Sequence, residues 1–78
     1  NYDDIIFSSY EEADEVLSYI DELIQTYGLA SVADYYDLVG EKSSYTDNKY
    51  GWMDISNARI TILKDGYMIK FPKALPLE

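Results

Sequence analysis

Apolar residues recur along this chain at several distinct spacings, and each spacing predicts an element. Ile5, Ile6 and Phe7 form a short strand-like run, broken at once by Ser8 and Ser9 and then by Glu11 and Glu12. Ser9 and Glu12 stand at the separation of a capping box, in which side chains satisfy amide donors that a helix start leaves unpaired, so a helix is predicted over Tyr10 to Tyr27. At about 100° per residue, Ala13, Val16, Leu17, Ile20, Leu23, Ile24 and Tyr27 fall within an arc of about 120°. Glu11, Asp14, Glu15, Asp21 and Glu22 take the opposite side. The helix therefore has a core-facing stripe and an anionic back.

Gly28 is suited to end that helix in a left-handed conformation, with Leu29 closing over the last turn. Ser31 and Asp34 repeat the capping spacing and predict a second helix through Val39, stopped by Gly40. Val32, one of Tyr35 and Tyr36, and Val39 mark its inner side, and Leu38 falls between sides. From Glu41 to Asn57 no period is clean, so the stretch reads as an ordered loop with room for a helical turn between Thr46 and Trp52. Arg59 to Lys64 and Tyr67 to Phe71 flank Asp65-Gly66, the strongest hairpin signal in the chain. Pairing Lys64 with Tyr67 would put Ile60, Ile62, Tyr67, Ile69 and Phe71 on the core face and Arg59, Thr61, Leu63, Met68 and Lys70 on the other. Pro72 and Pro76 end the strand and carry an extended tail, Lys73 to Glu78.

Together these elements predict one α+β domain over residues 1–78. Its order is β-α-α-β-β, two helices packed on a small antiparallel sheet, with Ile5 to Phe7 joining a C-terminal hairpin. A winged-helix-like arrangement is the alternative. Ile20 and Ile62, each central on its stripe, are expected to meet in the core.

Composition narrows the chemistry. The 78 residues hold neither Cys nor His, which removes disulfides, thiolate or imidazole metal sites and histidine acid–base relays. An apolar share of 47% with nine Tyr is that of a chain able to offset its ordering entropy. Tyr27, Tyr67 and one of Tyr35 and Tyr36 are expected in the core or at its rim. No apolar run approaches the roughly 20 residues of a membrane-spanning helix, and no basic segment precedes an apolar one as in a leader. No membrane association is expected.

Charge is divided sharply. Residues 1–41 hold eleven Asp and Glu and no Lys or Arg, whereas residues 42–78 hold four acids against six bases, giving −9 for the whole. Glu11, Glu15 and Glu22 form a ridge about 16 Å long on the first helix, with Asp14 and Tyr19 beside it. Such a row can imitate a phosphate backbone and enter a cationic groove, or it can be a solvated helix face. A net charge of this sign argues against nucleic acid as the partner. The carboxylates project outward from one helix rather than converging on a cation, and Asp47-Asn48-Lys49-Tyr50-Gly51 places a lysine where a calcium loop needs an oxygen, so no metal and no cofactor is expected.

Tyr27-Gly28, the run Val32-Ala33-Asp34-Tyr35-Tyr36-Asp37-Leu38-Val39-Gly40, the run Tyr45-Thr46-Asp47-Asn48-Lys49-Tyr50-Gly51-Trp52 and the late Gly66-Tyr67 resemble a family of small uncharacterised proteins of tailed phages and prophages. The likeness covers Glu12 to Leu77. Tyr50 and Met53 depart from a pattern that more often has Trp and Thr there. The resemblance implies a phage context and no biochemical activity; with neither a membrane run nor a leader expected, the cytoplasm of a bacterial host is the expected location. By chemistry alone, Asp47, Asn48, Lys49 and Tyr50 around a fixed Trp52 are a second candidate recognition patch, although a ring as large as Trp52 more often serves to pin a loop to a core.

The resulting expectation is a non-enzymatic, acidic phage-type protein that binds another macromolecule, a protein, through Glu11, Glu15, Glu22, Asp14 and Tyr19. It would act as an accessory or inhibitory factor, including as a nucleic-acid mimic. The alternatives are a structural or assembly component of a phage particle and an acidic winged-helix regulator.

Overall fold

A computed structural model describes residues 1–77 of the protein; Glu78, the last residue of the expected tail, lies outside them. A 3-10 turn at Tyr2–Asp4 precedes helix α1 (Tyr10–Tyr27). Ser9 caps α1, its hydroxyl accepting from the Glu12 amide at 3.1 Å, while the Glu12 carboxylate turns back to the Ser8 amide at 3.3 Å. Gly28 closes the helix at φ 89°, donating its amide to the Ile24 carbonyl at 2.7 Å. Strand β1 (Ala30–Ser31) leads directly into α2 (Val32–Val39). A complete capping box starts α2: the Asp34 amide donates to the Ser31 hydroxyl at 3.0 Å and the Ser31 amide to the Asp34 carboxylate at 2.9 Å.

After α2 come a second 3-10 turn (Tyr45–Asn48), β2 (Tyr50–Trp52), the hairpin strands β3 (Arg59–Leu63) and β4 (Gly66–Lys70), and β5 (Leu75–Pro76). The α+β class and the order β-α-α-β-β hold for the principal elements. Their leading strand is reduced to one antiparallel bridge, in which Phe7 and Tyr67 exchange both backbone hydrogen bonds at 2.7 and 2.9 Å. A second sheet has the order β1-β2-β5, all antiparallel, so part of the expected tail is a strand paired with β2.

Two glycines are required by crowding. A Cβ on Gly51 would run into the Ala30 carbonyl oxygen, and one on Gly66 into the Phe7 carbonyl oxygen and Ile6. The second contact explains the hairpin register. Gly66 belongs to the strand that receives Phe7, opposite Leu63, and Lys64-Asp65 forms the turn. The expected pairing of Lys64 with Tyr67 is thus displaced by two residues. Because the displacement is even, the faces are unchanged.

Burial follows the expected stripes with three corrections. Ala13, Ile20 and Ile24 of α1 share a core with Phe7, Ile69 and Phe71. Ile62, however, is 72% exposed: β3 is the strand away from the Phe7 bridge, and of its two core-side isoleucines only Ile60 packs against the core. Tyr27 is 74% exposed, although Ile24 one turn before it is buried. Tyr35 and Tyr36 are both buried. The stretch between Glu41 and Asn57 is ordered around two core residues, Trp52 and Ile55.

Candidate binding surfaces

The outward side of α1 presents Glu11, Glu12, Asp14, Glu15, Asp21 and Glu22, all exposed. Among the described residues no lysine or arginine forms an ion pair with any of them, the one ion pair being between the chain's amino group and Asp4 at 3.9 Å. Tyr10 and Tyr19, half exposed, sit among these acids. Arg59 and Lys70 stand opposite each other in the hairpin ladder and find no carboxylate partner among the described residues. The helix therefore carries an uncompensated field that repels anions and draws in cations from a distance comparable to the Debye length, about 8–10 Å at moderate salt. Among the described residues no three carboxylates come together as a metal ion would need.

The stretch around Trp52 divides into structural and exposed parts. Trp52 is 3% exposed: its ring stacks on Phe71 at 4.4 Å, meets the edge of Tyr2 at 5.3 Å, and its indole N–H donates to the Pro72 carbonyl at 2.7 Å. It pins the loop and offers no surface to a partner. Asp47 is occupied locally, accepting from the Ser44 amide at 2.7 Å and capping the second 3-10 turn. Lys49 lies over the Tyr45 ring at 4.7 Å, a cation–π contact. Asn48 and Tyr50 remain exposed. Of this group, Asp47 and Tyr50 face a cleft of about 1340 Å³.

That cleft opens between the N-terminal segment, the start of α1, α2 and the second 3-10 turn. Ile5, Val16, Tyr36 and Val39 supply apolar lining, whereas Asp4, Glu12, Glu41 and Asp47 stand with Lys42, Lys73 and the amino group of Asn1, which pairs with Asp4. Tyr36 is 9% exposed, and its hydroxyl is not among the buried polar atoms that lack a partner. Burial raises the Tyr36 phenol above a tyrosine's ordinary value, and the charges of Asp47, Asp4 and Glu41, with a smaller effect of Tyr2, raise it further.

None of the ridge residues Glu11, Glu15, Glu22 and Asp14, nor Tyr19, lines this cleft. The ridge and the cleft are separate features of the acidic half. Asp4, Tyr36 and Glu41 drew no functional expectation from sequence: Glu41 meets Tyr36 where α2 closes, its amide donating to the Tyr36 carbonyl at 2.9 Å, and only tertiary folding brings Asp4 to them. The one local trace was the excess of acid over base through residue 41. Compared with protein-family models, with curated proteins and with solved structures, the chain matches none.

Proposed function

We propose that this chain is a non-enzymatic binding protein whose acidic half engages a cationic surface on another protein. The observation that carries this reading is the outward side of α1, where six exposed carboxylates lie beside the half-exposed Tyr10 and Tyr19 and, among the described residues, no basic side chain pairs with them. Tyrosine beside carboxylate suits an interface, because the ring supplies contact area at low entropy cost and the hydroxyl a hydrogen bond. The field accelerates encounter with a cationic partner and rejects anionic ones.

With this reading we propose a phage or prophage origin, on the resemblance of the Tyr45–Trp52 stretch, and a partner among host or phage proteins of the bacterial cytoplasm. The chain then acts as an accessory or inhibitory factor, the cationic surface being of the kind that nucleic-acid-binding proteins present to phosphate. Affinity capture from the host followed by mass spectrometry tests this. Enrichment of basic nucleases, polymerases or repressors is expected. Enrichment of capsid or tail proteins would replace it with a role in particle assembly.

A further inference from the structure

Strand β3 bounds the hairpin sheet, and among the described residues no strand pairs with its outer edge. Which backbone groups lie on that edge follows from β4. Tyr67 turns its amide and its carbonyl to Phe7, at 2.9 and 2.7 Å, and so turns neither toward Ile62, its partner across the hairpin. Ile62 therefore directs its own N–H and C=O away from β4, and in an antiparallel ladder the residue two places back, Ile60, does the same. No other described residue bonds the backbone of either. Exposed edges are usually blunted by proline, a bulge or an inward charge. The run Ile60-Thr61-Ile62 has none of these, its nearest charges being Arg59 and Lys64 at the ends, and Ile62 is 72% exposed.

This edge is complementary to itself. Two β3 strands set antiparallel about a two-fold axis through Thr61 bring Ile60 opposite Ile62 of the second copy and Ile62 opposite its Ile60, and both pairs exchange their outward hydrogen bonds. Each exposed Ile62 is then flanked by an isoleucine on the same face. Ala58, the next outward residue, already gives its amide to the Ile55 carbonyl at 2.9 Å, which centres the pairing on Thr61. On the other face, Arg59 comes opposite Leu63 of the second copy and lies one diagonal step, about 7–8 Å, from its Asp65. Within its own chain Arg59 has no carboxylate partner among the described residues, and Asp65 is exposed.

We infer that two copies of this chain pair along β3, joining their hairpins into one continuous antiparallel sheet. The occupant of the edge is a second copy because the match of isoleucine to isoleucine and of Arg59 to Asp65 is supplied by the edge itself. A net charge of −9 on each copy opposes the approach, so pairing strengthens as salt screens it. A contact along one short strand holds only at high concentration, and the dilute chain keeps Ile62 exposed.

Sedimentation equilibrium from micromolar to millimolar protein tests this, with an apparent mass that doubles at the upper end and does so earlier at high salt. The chain has no cysteine, so Thr61→Cys sets a single thiol opposite its own copy at a spacing that a disulfide spans. With oxidised glutathione it should cross-link to a dimer much faster than Ser56→Cys, a position equally exposed. Ile62→Pro removes only an outward amide, so it should keep the hairpin and abolish association. Thr61→Lys sets like charges opposite each other and should weaken association about fivefold or more; it decides the matter if the proline variant does not fold. A protein monomeric over the whole range at high salt would overturn the inference. So would a dimer untouched by the Thr61→Lys substitution, or cross-linking no faster at position 61 than at position 56.

Discussion

Tyr35 sits at the centre of the aromatic core with no exposed surface, its ring edge-on to Phe71 at 4.8 Å and stacked near Tyr36 at 6.2 Å. Its hydroxyl is buried without a hydrogen-bond partner among the described residues. A polar atom in that situation costs stability, so Tyr35→Phe should be neutral or stabilise by about 1 kcal/mol in denaturant melts. A loss of more than that would reveal a hydrogen bond to the hydroxyl. The same residue sets the alkaline limit. Burial, then Tyr36 and Asp3, raise the Tyr35 phenol strongly, and burial raises Tyr36. The folded chain holds these protons where the unfolded chain releases them, so their contribution is fully present below about pH 10 and is lost as the pH climbs through the folded-state values. Tyr35→Phe should flatten the fall above that pH; an unchanged alkaline profile would place its cause elsewhere.

At the scale of elements, α1 and the hairpin show how far periodicity reaches. The stripe of α1, both helix starts and the two faces of the hairpin were legible, because helix capping and alternation are local properties of sequence. Strands β1 and β5, two residues each, leave no period to read and exist only because Gly51 lets Ala30 approach from one side while Leu75 pairs with it on the other. The hairpin register depended on a contact from outside the hairpin, the Phe7 carbonyl packed against Gly66. Burial of Ile62 depended on what covers β3. Ile20→Ala should therefore cost about 2–5 kcal/mol, whereas Ile62→Ala should stay within about half a kcal/mol, as exposed positions do. Comparable costs at the two positions would mean that β3 is covered in solution.

For the whole molecule, the division of charge governs both stability and binding. Repulsion among the α1 carboxylates, and between Arg59 and Lys70 facing each other across the hairpin, is relieved by no ion pair with a basic or acidic side chain among the described residues. Added salt should raise the denaturation midpoint by screening both groups, and a flat response would show compensation by other means. The candidate binding features divide along the same line of legibility. The ridge was visible in sequence because a helix sorts neighbouring residues by angle; the cleft was not, because Asp4, Glu12, Tyr36 and Glu41 come from the N-terminal turn, the two helices and the segment after α2. The claim at the centre of this account is that the anionic side of α1 brings a cationic protein to the molecule. Its most direct test is the amount of partner captured from host lysate at low and at high salt by the wild-type protein and by the variant with Glu11, Glu15 and Glu22 all changed to Gln. The variant should fold, since those side chains face water and Gln is nearly as good a helix former as Glu. It should lose most of its capture at low salt and differ little from wild type at high salt. A folded triple variant that captures the same partner as well as wild type at low salt would contradict the claim.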